Sequence, residues 1–149
     1  MIAGTEIQHF GDVLVIPSME KKRVTGLGGV FFKSVDPEKL RNWYKEHLHI
    51  ESGEHGALFR WRQEDRPEAV GHTAWNPLPG DTNYFQPSEK NFMLNYRVED
   101  LETLLKALKE EGVEIVGEME SYPYGKFGWI MDPEGNKIEL WEPVDEATL

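Results

Sequence analysis

The segment of residues 129–141 constrains the fold of this chain most strongly, because it has the pattern of a complete β-hairpin. An apolar run is followed by Asp-Pro-Glu-Gly-Asn and then by an alternating run. Pro133 presets φ for a type I turn, and Gly135 or Asn136 can adopt the left-handed conformation that closes it. The pattern therefore predicts two antiparallel strands joined by a tight turn.

The second arm of this hairpin places its side chains alternately on two faces. Ile138 and Leu140 share one face, and Lys137, Glu139 and Trp141 share the other. If the first pair faces the core, Glu139 is an acid on a rigid strand beside a tryptophan. Such a carboxylate is a candidate metal ligand or catalytic base, and the alternative is a solvated strand residue.

Composition excludes several classes of function. The 149 residues suit one domain, with 39% hydrophobic and 29% charged residues, as in a folded, soluble protein. The net charge of −11 argues against partners such as nucleic acid and anionic membrane surfaces. With no cysteine, disulfides, thiolate nucleophiles and Cys-zinc sites are excluded. No signal-peptide pattern or membrane-spanning apolar run is visible, so we expect a cytoplasmic protein.

Two amphipathic helices are predicted. The first begins after Asp36 and Pro37, an N-cap followed by a proline at the first helical position. The second begins near Asp100 and ends at Gly112, a suitable C′ residue. The apolar stripe of the first helix contains Leu40, Trp43, Tyr44, His47 and Leu48, and that of the second contains Leu101, Leu104, Leu105 and Leu108.

The chain repeats one unit, in which a strand precedes each helix and further strands follow it. Residues 24–76 form the first copy and residues 92–143 the second, joined by a linker at 77–91 rich in Pro, Gly, Asp and Ser. Residues 1–23 are an N-terminal extension in which 12–17 are an edge strand or a dimer arm, and 144–149 are a tail. The alternative is a plain α+β sandwich without duplication.

This βαβββ duplication, ending in Asp-Pro-Glu-Gly-Asn-Lys-Ile-Glu-Leu-Trp, resembles the vicinal oxygen chelate superfamily of glyoxalases, bleomycin-resistance proteins and extradiol dioxygenases. The segments Asn-Trp-Tyr-Lys-Glu-His-Leu at 42–48 and Tyr-Arg-Val-Glu-Asp-Leu at 96–101 are similar to the helix patterns of that family. The resemblance covers residues 24–143. It implies an α+β fold of two βαβββ modules whose curled mixed sheet surrounds a cavity.

The resemblance also implies four metal-ligand positions, on the first and last strands of the two modules. They fall on Gly29, His72, Met93 and Glu139. Gly29 has no side chain, and Met93 is a poor ligand for hard or borderline cations. His72 and Glu139 remain, so we expect a degenerate site that holds a divalent metal such as Zn, Ni, Mn or Fe only weakly, if at all.

Alternation along the strands predicts which side chains face the cavity. A loop at 121–129, interpreted as a lid or as an ordinary β-connection, adds aromatic residues. The predicted ligand-binding residues are Phe31, Met93, Asn95, Arg97, Tyr124, Trp129 and Trp141. In the alternative interpretation, Phe31, Met93 and Trp141 fill a closed core, and His72 is a hydrogen-bonded histidine without chemistry.

Two functions follow from the resemblance. The first is an enzyme that performs lyase, isomerase or related chemistry on a small oxygenated substrate, with Glu139 as ligand or general base and His72 as its partner. The second is a non-catalytic protein that binds or sequesters a small molecule, as bleomycin-resistance proteins do. The family also implies a homodimer. Whether the chain is an enzyme stays open at this point.

Overall fold

The computed structural model describes residues 8–15 and 23–144, which form a seven-stranded mixed sheet, two helices and a separate two-stranded hairpin. The elements are β1 (Gln8–Phe10), β2 (Val13–Val15), β3 (Val24–Ser34), α1 (Pro37–Leu48), β4 (Ala57–Arg62), β5 (Val70–Pro79), β6 (Phe92–Val98), α2 (Leu101–Glu110), β7 (Ile115–Tyr122), β8 (Gly125–Met131) and β9 (Lys137–Pro143). Neither helix is long and apolar enough to cross a membrane.

The sheet has the order β4-β5-β3-β6-β9-β8-β7 and does not close. In each half the first strand pairs in parallel with the last, β3 with β5 and β6 with β9, and the antiparallel β3–β6 pair joins the halves. This confirms the α+β class and the mixed sheet. The second half is a full βαβββ unit. The first half has only two strands after its helix, since residues 49–56 contribute only an isolated bridge between Gly53 and Gly56.

Both helices begin where their caps predict. The Asp36 carboxylate accepts a hydrogen bond from the Lys39 backbone N–H, and Asp100 accepts one from the backbone N–H of Thr103. At the other end of α2, Gly112 has φ of 86°, the left-handed conformation expected at C′.

The two helices are covered unequally. Leu101 and Leu104 of α2 are buried in a core with Val98 and Leu140, whereas α1 has no buried residue. The predicted stripe of α1 meets the sheet through contacts such as that of Tyr44 with Trp75, while Trp43 and Leu48 are more than half exposed. This difference in burial agrees with the topology, since the described residues form only two strands after α1 but three after α2.

The β8–β9 hairpin forms as its turn sequence predicts. The Asp132 carboxylate accepts hydrogen bonds from the backbone N–H groups of Glu134 and Asn136, both at 2.9 Å, and Gly135 takes φ of 80°. Ile138 and Leu140 pack on the α2 side of the sheet. Their alternation therefore directs Lys137, Glu139 and Trp141 to the opposite face.

Two segments outside the predicted halves can be described further. Within the described residues, β2 pairs with β1 and is not an edge strand of the seven-stranded sheet, while residues 16 and 17 lie outside those described. The predicted linker at 77–91 is not a plain surface connection, because β5 continues to Pro79 and Phe85 is fully buried. We call residues 80–91 the strap.

Candidate functional site

The site is organised around the carboxylate of Glu139, which is only 3% exposed. Its Oε1 accepts a hydrogen bond from Asn95 Nδ2 at 2.7 Å, and its Oε2 accepts one from Trp129 Nε1 at 2.9 Å. The Tyr84 hydroxyl donates a third, short hydrogen bond to Oε2. A buried carboxylate needs such donors to offset the loss of water.

Strand register explains two of these contacts. In the parallel β6–β9 pair Asn95 lies opposite Glu139, and in the antiparallel β8–β9 pair Trp129 lies opposite Glu139. Directly paired residues project to the same face of a sheet, so the three side chains converge. The donor and acceptor positions are therefore set by rigid strands on both sides of β9.

The third contact comes from the strap, which crosses the open face of the sheet. Phe85 packs with Met93 and Trp129, and this cluster holds the strap in place. The Lys137 ammonium donates to the Tyr84 backbone carbonyl at 2.6 Å and lies 5.3 Å from the centre of the Tyr84 ring. Tyr84 is 41% exposed, so its ring is partly open to solvent although its hydroxyl end reaches the buried carboxylate.

Burial and charge set the protonation of the residues around Glu139. Burial, followed by the negative charge of Glu139, raises the pKa of Tyr84 well above its ordinary value. The phenol therefore stays neutral and keeps its donor hydrogen at physiological pH. Burial lowers the pKa of Lys137, while the nearby Glu139 charge acts in the opposite direction.

A close approach by Gly28 makes room for Asn95. A Cβ atom at Gly28 would lie 2.0 Å from Asn95 Oδ1, so no larger residue fits there without a shift. Asn95 is 2% exposed, and its Oδ1 is buried without a hydrogen-bond partner. The amide therefore directs its donor to Glu139 and turns its acceptor towards the glycine backbone.

The apolar wall next to Glu139 is filled by side chains. Phe85, Met93 and Trp129 are buried together, and Phe31 and Phe127 pack against them. Of the predicted lining residues, Asn95 and Trp129 contact the Glu139 carboxylate, and Phe31 and Met93 pack in the same apolar cluster as Trp129.

Arg97 occupies a second position on this face. Its guanidinium carbon lies 5.2 Å from the ring centres of both Trp61 and Trp141, and the residue is 3% exposed. Its Nη1 donates to the backbone carbonyl of His72 at 3.4 Å. The two indole faces favour the cation, so the charge of Arg97 is held in place.

A row of aromatic rings continues from Trp141 towards the turn between β7 and β8. Trp141 stacks on Phe127 with an interplanar angle of 6°, and Tyr122 stacks on Tyr124 with an angle of 2°. Both tyrosines meet Phe127 edge-on and are 43% and 60% exposed, respectively. The predicted lid at 121–129 is a β-hairpin in which Tyr122 pairs with Gly125.

His72 does not lie beside Glu139 in the sheet. It is on β5, and β3 and β6 lie between β5 and β9. Three strand spacings amount to about 14 Å along the sheet. Among the described residues, the side chains of Tyr84, Asn95 and Trp129 donate hydrogen bonds to the Glu139 carboxylate.

The residues at the family's metal positions do not fit a tightly held divalent ion. Both Glu139 oxygens accept hydrogen bonds from side chains, Met93 is fully buried in an apolar cluster, and Gly29 has no side chain. Among the described residues, no group of three or more His, Asp or Glu side chains is placed to hold a metal. A metal site needs about three protein ligands.

The sequence did not predict that Tyr84 or Lys137 belongs to the site, because the composition of the strap is polar and typical of turns. One signal was present: Tyr84 and Phe85 are adjacent aromatic residues within it. Large aromatic side chains favour at least partial burial, and in the structure Phe85 is fully buried while Tyr84 is partly exposed.

The chain belongs to the Glyoxalase/Bleomycin resistance protein/Dioxygenase superfamily, whose family model matches residues 27–140. The match spans both halves of the sheet and includes Glu139. No curated protein matches the chain significantly.

Solved structures share the fold. Methylmalonyl-CoA epimerase from Mycobacterium tuberculosis is 22% identical, with a TM-score of 0.56 over 85% of this chain and 93% of that one. A variant of the Streptomyces coelicolor epimerase, in complex with 2-nitronate-propionyl-CoA, is 13% identical, with a TM-score of 0.60 over 81% and 99%. A Legionella pneumophila structure described as NAD-dependent benzaldehyde dehydrogenase is 17% identical, with a TM-score of 0.50 over 78% and 98%. At these identities, the likeness concerns the fold.

Proposed function

We propose that this protein is a metal-independent isomerase of its superfamily, acting on a small oxygenated substrate with Glu139 as the general base. The observation that carries the proposal is the buried Glu139 carboxylate, held by donors from β6, β8 and the strap. Enzymes place acids and bases in such partly apolar, hydrogen-bonded settings. The epimerases with the same fold make isomerase chemistry a suitable expectation.

The proposed reaction is a proton transfer at a carbon next to a carbonyl group. The substrate displaces the Tyr84 hydroxyl from Oε2, and Glu139 takes the proton while the C–H electron pair moves into an enolate. In a substrate with a hydroxyl group next to the carbonyl, Glu139 then returns the proton to the former carbonyl carbon, while the hydroxyl proton moves to the former carbonyl oxygen, so that the carbonyl and hydroxyl groups exchange places. The neutral Tyr84 hydroxyl and the Lys137 ammonium are the donors nearest to the developing oxyanion charge.

Deuterium exchange tests this proposal without knowledge of the natural substrate. The protein is incubated in D₂O with hydroxyacetone or methylmalonyl-CoA as probes, and loss of the carbon-bound proton is followed by NMR. Exchange should fall about 10²-fold or more in Glu139→Gln. It should be unchanged by a chelator and in Glu134→Gln, an exposed turn control. An unchanged rate in Glu139→Gln contradicts the role of Glu139. A chelator-sensitive rate contradicts metal independence and favours the weakly held Zn, Ni, Mn or Fe.

A second candidate function is non-catalytic binding, which the aromatic row favours. Tyr122 and Tyr124 expose stacked rings beside Phe127 and Trp141, and the chain carries a net charge of −11. Both features suit a planar aromatic cation. In a fluorescence titration with proflavine, Tyr124→Ala should weaken binding while Glu139→Gln leaves it unchanged. Absence of exchange in the wild-type protein, together with this binding pattern, would favour the second function.

We also propose that the protein is cytoplasmic and that it forms a homodimer, the assembly that the family resemblance implies. Light scattering of the purified protein tests the assembly, and a monomer at micromolar concentration would contradict it.

A further inference from the structure

The Tyr84 side chain makes the hydrogen bond and ring contacts that a bound phenol would make at this position. Its hydroxyl donates to Glu139, and its ring meets Trp129 edge-to-face, with centres 6.3 Å apart at 90°. Phe85 lies against it at 6.5 Å, and the Lys137 ammonium lies 5.3 Å from the ring centre. The protein therefore contacts the hydroxyl group, the edge and the face of one phenol.

The strap is anchored by buried neighbours of Tyr84 and by the Tyr84 backbone carbonyl, which accepts from Lys137, so the Tyr84 side chain is not its main anchor. Phe85 is fully buried and Ser88 is 5% exposed, whereas Tyr84 is 41% exposed. Rotation of the Tyr84 side chain would uncover Glu139 Oε2 while Phe85 stays in its cluster. Opening therefore breaks one side-chain hydrogen bond to the carboxylate and leaves the apolar anchor intact.

From this geometry we infer that Tyr84 is an internal occupant of the ligand subsite, and that the ligand is a small planar molecule with an enol or phenol hydroxyl that displaces it. A molecule that removes the Tyr84 hydroxyl must replace the lost donor, because a buried oxygen left without its partner is costly. It must also be flat, since Trp129 and Lys137 bound the space. The bound position of the Tyr84 side chain lowers the apparent affinity for the ligand in proportion to the fraction of molecules in which this side chain is rotated away.

The test uses p-cresol, the free form of the tyrosine side chain, as the probe. Tyr84→Ala leaves a phenol-shaped space, so calorimetry should show p-cresol binding about tenfold or more tightly to this variant than to the wild-type protein. Toluene, which has the ring without the hydroxyl, is the matched control and should bind more weakly. Equal binding of p-cresol to both proteins, or equal binding of p-cresol and toluene to the variant, would overturn the inference.

An NMR titration of the wild-type protein with p-cresol tests the displacement without a variant that risks misfolding. The Trp129 indole N–H and the Tyr84 hydroxyl donate to the same Glu139 oxygen, so a phenol that replaces Tyr84 should shift this indole resonance. Toluene should shift it less. An indole resonance that p-cresol does not shift, or that p-cresol and toluene shift equally, would overturn the inference.

The inference rests on the proposed function in placing the ligand at Glu139. Different experimental results would contradict the general-base role of Glu139 and the ligand-like role of Tyr84. Deuterium exchange that survives in Glu139→Gln, with tight p-cresol binding to Tyr84→Ala, rejects the general base and keeps the subsite. Exchange lost in Glu139→Gln, with no p-cresol binding to Tyr84→Ala, keeps the base and rejects Tyr84 as an occupant.

Discussion

Asn95 and Glu139 lie directly opposite each other in the parallel pair of β6 and β9, and the amide donates to the carboxylate at 2.7 Å. This contact joins the first and last strands of the second half. It also requires a neutral donor at position 95, because a second acid there would face a buried carboxylate.

Asn95→Asp should therefore destabilise the protein more than Asn95→Ala at neutral pH. We expect a loss of about 3 kcal/mol for the acid and about 1–3 kcal/mol for alanine, measured by urea unfolding. The loss in Asn95→Asp should shrink as pH falls towards about 4, because one of the two neighbouring carboxyl groups then binds a proton. A deficit that persists unchanged at low pH would show that charge repulsion is not its cause.

In a spectroscopic pH titration of the folded protein, Tyr84 should not ionise over the range in which ordinary tyrosines form tyrosinate. Its pKa is raised, so Tyr84→Phe should leave the absorbance change between about pH 9 and 11 unaltered. In denaturant the same variant should lose one of five tyrosine signals. Because the folded protein holds this proton more tightly, its contribution to stability is complete below the ordinary value of 10.0 and declines as pH rises above it. A reduced folded-state amplitude in Tyr84→Phe would contradict the Glu139 contact.

Asp132 should stabilise the β8–β9 turn in a pH-dependent way. Hydrogen bonds from the Asn136 side chain, and then from backbone N–H groups, lower the pKa of Asp132 below its ordinary value of 3.8. The ionised form is therefore favoured by folding, and its contribution is present above that pH and lost as pH falls through the folded-state pKa. Thermal melts of Asp132→Asn should lie below wild type near pH 7 and converge with it in acid. A gap that widens in acid would contradict this prediction.

The two helices should respond differently to the same truncation. Leu104→Ala on α2 removes a buried side chain and should cost about 2–5 kcal/mol in urea unfolding. Leu48→Ala on α1 removes a side chain that is 58% exposed and should cost about 0.5 kcal/mol or less. Equal losses would mean that the exposed face of α1 is covered in solution.

Gly28→Ala should disturb the Glu139 site through Asn95. The new methyl group would meet Asn95 Oδ1, and we expect a loss of about 1–3 kcal/mol together with a shifted indole N–H resonance of Trp129. Gly80→Ala is the matched control, because its Cβ atom would make only an ordinary contact with the Ser34 carbonyl at 3.4 Å. An unshifted indole signal in Gly28→Ala would argue against this packing.

The helices and the closing hairpin could be predicted because their signals are local. Asp36 and Asp100 cap their helices through residues three positions away, and Gly135 adopts the conformation that its turn requires. The face of Glu139 followed from alternation with Ile138 and Leu140. Each of these depends on neighbours in sequence, which a single sequence displays.

The partners of Glu139 could not be predicted in the same way, since they depend on register and on the path of the strap. Asn95 is 44 positions away and Tyr84 is 55. Periodicity along one strand does not tell which residue lies opposite on another strand. The two halves have nearly equal lengths, but their loops differ, so the second half did not set the strand register of the first.

Trp61 lies against two glycines from different strands. Strands β3 and β5 are paired from Gly29 and Ala74 onwards. Before this paired stretch, the Trp61 ring lies against Gly26 of β3 and Gly71 of β5. A Cβ atom at Gly71 would lie 2.3 Å from this ring. A larger residue at position 26 or 71 therefore requires a smaller residue at position 61, so these three positions can change only together. The Trp61 indole fills the space beside both glycines and so limits how closely β3 and β5 approach each other there.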